Sequence, residues 1–392
     1  MNRGRTMQKT LFYQLLTPLL LISLFFFCSR KNPTSPITED SDRYAVELPA
    51  GKLPWPHHWP EMTQSEYKKL IEDLWIINNF GLYQSTDDKS MAYFHDGLDI
   101  VLDNGTQIYA IESGYVKSLS YATITIGETS GDNPGYGWAY THVDNPQVKV
   151  GDFVRKGDYI AEVNFEGLPH IHLSRVYHPT KGTWDDICET KYLHPDGFFI
   201  YKDTQPPVIR RQFFYFPNNS DEMFVPKDTT VVWGDVDIVV GIRDPGEFAH
   251  SKDSGYGDRL CVARIEYEIS GEHIQPVYRK SFDFTKIILK KKRGVNMMND
   301  ERLYIVYKHH SIFHPYGMSW NKFFSYYVIT NTDGTGEFGE LDISAKQYAW
   351  KTAAVDESNN PKFPNGAYII KVTVYDFVGN SYAASGIVRV MN

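Results

Sequence analysis

His170 and His172 stand one residue apart in the run GLPHIHLSRV, among apolar and β-branched neighbours. On a β-strand, alternate side chains face the same side, so both imidazoles point together while Ile171 points away. Such a pair is either a satisfied surface or core pair, or a metal or general-base site, because imidazole is a common transition-metal ligand and a near-neutral base. Upstream, HDGLDI places His95 and Asp99 four residues apart around Gly97. Adding one imidazole from His172 gives two histidines and a carboxylate. Three such ligands, with water in the fourth position, are a common pattern for catalytic zinc. The metal lowers the pKa of that water and polarises a carbonyl. His170, on the same strand face, then stands beside the ion as a base, and His142 in WAYTHV brings a further imidazole to the same cleft.

These residues need elements to hold them. Short alternating runs separated by Gly, Asn and Pro (YAIESGYVKSL, ATITIGE, WAYTHV, FVRKGDYIAEV, PHIHLSRV) imply a compact antiparallel β domain, closed by HPDGFF at 194–199. One helix precedes it, in TQSEYKKLIEDLWIINNF. Thr63 and Glu66 have capping-box spacing, and Tyr67, Leu70, Leu74, Trp75 and Ile77 fall near one helical face. The Pro-Pro pair in KDTQPPVI, 202–209, marks a joint. Beyond it, VVWGDVDIVVGI, ARIEYEISG and a terminal strand–turn–strand imply an Ig-like β-sandwich with insertions around 245–260 and 290–340. The fold class is therefore mainly β: an antiparallel β core with one preceding helix, then a carboxyl-terminal sandwich. The expected organisation is an export segment at 1–28, a tether at 29–60, a catalytic domain at 61–203 and an accessory domain at 204–392.

The formal charge of −8 gives no reason to expect nucleic acid as a partner. Aromatic content of 15% suits a strand-rich protein. Arg3, Arg5 and Lys9 precede an apolar segment from Leu11 to Phe27, which reads as a secretory signal. That segment is shorter than the roughly 20 residues of a spanning helix. Cys28 stands where a lipoprotein cysteine would, although Phe27 is bulkier than the usual preceding residue. Lipidation, simple cleavage and an uncleaved anchor all remain open, and each exports the chain to the envelope or beyond, touching membrane only through this segment. Cys188 and Cys261 lie far apart, and their pairing is open. His309, His310 and His314 follow no ligand pattern and read as a solvated loop. Asp103, Glu112, Asp152 and Asp158 read as turn or surface residues.

Taken in order, HDGLDI, GTQIYAIESGYV, YTH, VKVGDFVRKGD and HIH resemble the lysostaphin-type zinc metallo-endopeptidases of bacterial cell walls. A lone H-x-H is weak, but five ordered blocks are specific. The resemblance implies one zinc held by His95, Asp99 and His172, with His142 and His170 as the catalytic pair. It implies hydrolysis of peptidoglycan stem peptides or cross-links by metal-activated water. An envelope protein is a further expected partner, through the carboxyl-terminal domain. The chain departs from the family at the bulkier NFEGLP approach to H-x-H, and at Ser174, where Glu is common. The first bears on specificity and the second on outer support of the metal. Two alternatives stand beside this reading. A lipoyl-like carrier barrel shares the Gly-Asp turns but needs a lysine at a hairpin tip, which is not evident here. A non-catalytic envelope module would bind wall peptides or regulate an amidase through the same groove.

Overall fold

The computed structural model describes residues 44–85, 92–120, 122–185, 189–226, 229–245, 260–290, 302–308, 324–336 and 339–392. The export segment, Cys28, Cys188 and the three histidines at 309–314 lie outside the described residues. Asp40–Asn392 form one compact unit.

Helix α1 spans Gln64–Asp73 and opens on the expected capping box, with Thr63 and Glu66 each accepting from the other's backbone. It stops before Leu74, so Trp75 and Ile77 do not extend its face. The next residues form strand β1 (Ile76–Asn78), where Ile76 pairs with Ile100 and Asn78 with Asp99. Pairing of a β-branched run with a buried strand overrides the helical spacing there.

The amino-terminal part continues with β2 (Tyr83–Ser85), β3 (Ala92–Phe94), β4 (Leu98–Val101), β5 (Gln107–Tyr109), β6 (Gly114–Ser120), β7 (Thr123–Gly127) and β8 (Gly135–Thr141). It ends with β9 (Val143–Asp144), β10 (Phe153–Val154), β11 (Tyr159–Val163), β12 (His170–His178) and β13 (Lys191–Leu193). The main sheet runs β1-β4-β12-β8-β7-β6-β10, with β13 joined to β12. Period-2 alternation splits it into two faces. Leu98, Ile100, Ile124, Ile126, Trp138, Tyr140, Ile171 and Leu173 are buried together in one core. Full burial of each Leu or Ile contributes about 1.5–3 kcal/mol. Asp99, Thr141, His170, His172 and Ser174, between these residues, must project from the opposite face.

Residues 44–60, expected within the tether, instead pack on this body. Trp55 is fully buried and stacks on Phe199 at 4.4 Å between ring centroids. Its indole N–H donates to the Ile200 carbonyl at 2.8 Å.

The carboxyl-terminal part has two sheets. One joins β14 (Val208–Pro217), β16 (Asp235–Arg243) and β20 (Ser325–Val328), with β21 (Trp350–Lys351) on β16. The other runs β15 (Thr230–Val232), β23 (Ser381–Val390), β22 (Gly366–Tyr375), β17 (Arg264–Gly271), β18 (Ile274–Asp283). Ile238 and Val240 from the first share a core with Ile265, Ile370 and Val388 from the second. That core also takes in Phe80, Tyr83, Phe94 and Tyr192 of the amino-terminal part. Strand β19 (Leu289–Lys290) pairs with β13 and so extends the main sheet of the amino-terminal part. Cys261 is a free, buried thiol beside the Tyr307 and Tyr327 hydroxyls, and burial pushes it up to about 12.

Candidate metal centre

Strands β4 and β12 run antiparallel, with His172 opposite Asp99 and His170 opposite Val101. Directly opposed residues share a face, so register alone brings Asp99 to His172. On the other side of β4, Asn78 of β1 donates its side-chain amide to Asp99 Oδ2 at 2.6 Å. Gly97 allows the close approach. A Cβ there would stand 2.5 Å from the Leu173 carbonyl oxygen and 2.9 Å from His172 Nε2.

His95 lies between β3 and β4 and is fixed by two backbone bonds to the segment after β1, both at 2.8 Å (Gly81 N–H to its carbonyl, its N–H to Leu82). Its ring Nδ1 donates to the Asn79 carbonyl at 3.0 Å, which leaves Nε2 as a bare lone pair. His172 Nε2 stands 2.9 Å from both Asp96 Oδ1 and Ser174 Oγ. Donation to Asp96 leaves Nδ1 as the atom that presents a lone pair once metal binding displaces its proton.

Three acceptors then converge. His95 Nε2 is 3.0 Å from Asp99 Oδ1, His172 Nδ1 is 3.0 Å from His95 Nε2, and His172 Nδ1 is 2.7 Å from Asp99 Oδ1. Lone pairs so placed repel one another unless a proton or a metal ion sits among them. Ligand atoms around tetrahedral zinc, bound at about 2.0–2.2 Å, are about 3.3 Å apart, so the set needs to open by only a few tenths of an ångström. Burial alone would raise the Asp99 carboxyl, yet His95 and His172 hold it well below the usual carboxylate range. Burial also opposes charge on His172, but Asp96 and Asp99 outweigh it and push that imidazole up to about 9. Both shifts mark a point where the carboxylates favour positive charge. The donor set fits one Zn2+.

The other two sequence-selected histidines are brought to the same place. His170 Nδ1 donates to the Leu168 carbonyl at 2.8 Å, leaving Nε2 bare and 3.8 Å from Asp99 Oδ1. His142 follows the last residue of β8 with φ 67°, a left-handed conformation uncommon outside glycine. The Asn164 N–H donates to its carbonyl at 2.9 Å, and its ring lies 4.6 Å from that of His170 and 6.4 Å from that of His172. Burial and the neighbouring His170 push His142 down to about 4, so it is neutral at neutral pH.

Sequence reasoning missed Asp96, Asn78, Asn79 and Phe165. Asp96 was visible as the first acid of HDGLD. It supplies from the β3–β4 connection the carboxylate that position 174 lacks, so the Ser174 departure does not leave His172 without an acidic partner. Phe165, in the bulky NFEGLP approach, packs on His142 at 4.3 Å and on His170 at 4.6 Å between ring centroids. Asn104 pins it through both its backbone groups, at 2.9 and 3.2 Å. Glu112 pairs with Arg175 at 2.9 Å, away from the histidines.

The family model described as Peptidase family M23 matches residues 93–181. Lysostaphin of Staphylococcus staphylolyticus is 30% identical over 89 residues, 21% of this chain and 18% of the relative. Lysostaphin of Staphylococcus simulans matches to the same extent, so the chain spans under a fifth of these relatives' length. Among solved structures, LytU is 29% identical, covering 31% of this chain and 82% of that one, with a TM-score of 0.24. A zinc-containing peptidase from Vibrio cholerae is 25% identical, covering 26% and 33%, with a TM-score of 0.23.

Proposed function

We propose, from the match of residues 93–181 to the model of peptidase family M23, that this chain is a zinc metallo-endopeptidase acting on peptide bonds of peptidoglycan stem peptides or cross-links. The observation that carries this is the convergence of three ligand atoms beside two further imidazoles. Zinc bound by His95, Asp99 and His172 supplies Lewis-acid polarisation of a carbonyl and a water of near-neutral pKa. His170, with its Nδ1 committed to Leu168, accepts a proton at Nε2. His142, kept neutral by burial, donates a hydrogen bond to the oxyanion that develops on the substrate. Phe165 fixes both rings and narrows the space open to water. Such acid–base assistance is worth about 10²–10⁴-fold in rate.

In this reading the amino-terminal segment exports the protein to the envelope, with Cys28 as a candidate lipid anchor. The carboxyl-terminal part is an Ig-like accessory unit that places the enzyme against the wall or an envelope partner. The test uses the purified full chain on isolated peptidoglycans of several cross-link types, with mass analysis of new amino termini. Cleavage should vanish with a chelator and return with zinc. A chain that holds one zinc yet releases no new amino terminus from any of these substrates would establish a binding or regulatory module instead.

A further inference from the structure

A second group of acidic side chains comes together from the end of the β1–β13 part and from the two-sheet part. Asp203 follows the segment that closes the catalytic part, Asp244 follows β16, and Asp376 opens the turn between β22 and β23. One carboxylate oxygen from each lies within 4.8 Å of the other two. Asp244 and Asp376 are 2% and 3% exposed. The Asn380 amide donates both to the Asp203 carbonyl at 3.0 Å and to Asp376 Oδ2 at 2.8 Å, tying two of the segments together.

Asp203 and Asp244 line a cavity of about 10 Å³, together with Asn79, Tyr201 and a fourth acid, Asp196. Asp196 is 4% exposed, and its Oδ2 has no hydrogen-bond partner among the described residues. His194 Nε2 is 3.3 Å away but outside hydrogen-bonding geometry, and burial holds that imidazole neutral, down to about 3. Burial likewise pushes the Asp196 carboxyl up to about 7. An unsatisfied buried carboxyl oxygen costs free energy that a bound ion would offset.

We propose that Asp203, Asp244 and Asp376 form a Ca2+ site at this junction, with Asp196 as the adjoining acid. The donors are all oxygen, which suits a hard cation, whereas structural zinc favours nitrogen and sulfur. Two oxygens on opposite sides of Ca2+ are about 4.6–5.2 Å apart, which accommodates the observed spacing. Mg2+ demands a near-ideal octahedron with oxygens at about 2.0–2.1 Å, so opposite ligands stand only about 4.0–4.2 Å apart, whereas Ca2+ accepts longer and less regular shells. The ion would join three segments distant in sequence against Asn79, whose carbonyl holds the His95 ring. This site is independent of the proposed peptidase activity.

The test uses zinc-loaded full chain in calcium-depleted buffer, with calorimetric titration and thermal unfolding in Ca2+ and, separately, Mg2+. We expect one Ca2+ per chain and an upward Tm shift on the order of 5 °C at about 100-fold excess over Kd. Asp203→Asn, at the most accessible of the three acids, should weaken Ca2+ at least about tenfold with zinc content unchanged. Asp376→Asn should do the same but also disturbs its turn, so Asp203→Asn decides if that variant fails to fold. No heat and no shift up to about 10 mM Ca2+, well above the weakest extracellular modules, would overturn the proposal. So would equal binding in Asp203→Asn, or an equal response to Mg2+.

Discussion

Removing the carboxylate at Asp96 should weaken zinc binding although Asp96 does not ligate the metal. Asp96 Oδ1 and Ser174 Oγ both stand 2.9 Å from His172 Nε2. Together they keep the proton on Nε2 and the lone pair of Nδ1 turned to His95 and Asp99. Loss of such outer partners typically lowers metal affinity about 10–100-fold, or about 1.4–2.7 kcal/mol. A charged acceptor makes a bond roughly twice as strong as a neutral one. Asp96→Ala should therefore fall near the 100-fold end and Ser174→Ala near the tenfold end. Each single variant leaves His172 one acceptor, and the double variant leaves none in a site whose ring is 14% exposed. The double loss should exceed the sum of the single free-energy losses. Competition with a fluorescent zinc chelator measures all four affinities, and circular dichroism checks the fold. Wild-type zinc affinity in a folded Asp96→Ala would refute the claim that Asp96 orients His172.

Four further outcomes follow from the geometry. His142→Ala and His170→Ala should each lower turnover about 10²–10⁴-fold with zinc content near one per chain, read by peptide release and metal analysis. Gly97→Ala drives a Cβ to 2.5 Å from the Leu173 carbonyl oxygen, so it should cost about 1–3 kcal/mol in denaturant unfolding and loosen zinc. Truncation after residue 203 removes the Cys261 backbone groups that bracket the Asn79 side chain at 2.7 and 2.9 Å, and exposes Phe80; zinc affinity of the fragment should fall. Burial pushes His58 down to about 4, so the unfolded chain binds its proton first as pH drops below about 6.5. Stability from this group is complete above that value and is lost towards pH 4, and His58→Phe should flatten that limb of a stability–pH curve.

The features legible in sequence were those with short-range causes. The capping box of α1 needs only Thr63 and Glu66, and the shared face of His170 and His172 needs only a strand period. What the sequence hid depends on pairing at a distance. The early end of α1 follows from β1 joining β4, which sets Asn78 against Asp99. Asn79 holds His95 through its carbonyl, yet its own side chain is fixed by Cys261, 182 residues away. Asp203, Asp244 and Asp376 belong to no local motif, and only the packing of three loops brings them together. The inward packing of residues 44–60 was masked by a Pro-rich, polar composition, because its contacts, from Val46, Leu53, Trp55 and His58, follow no helix or strand period.

An anomalous difference map at the zinc edge, from crystals of the zinc-loaded full chain, tests the central claim most directly. The account predicts one peak in the catalytic part, about 2.0–2.2 Å from His95 Nε2, Asp99 Oδ1 and His172 Nδ1, with His142 and His170 outside bonding distance. A peak ligated by His142 or His170 in place of His172, or stoichiometric zinc persisting in His172→Ala, would contradict it.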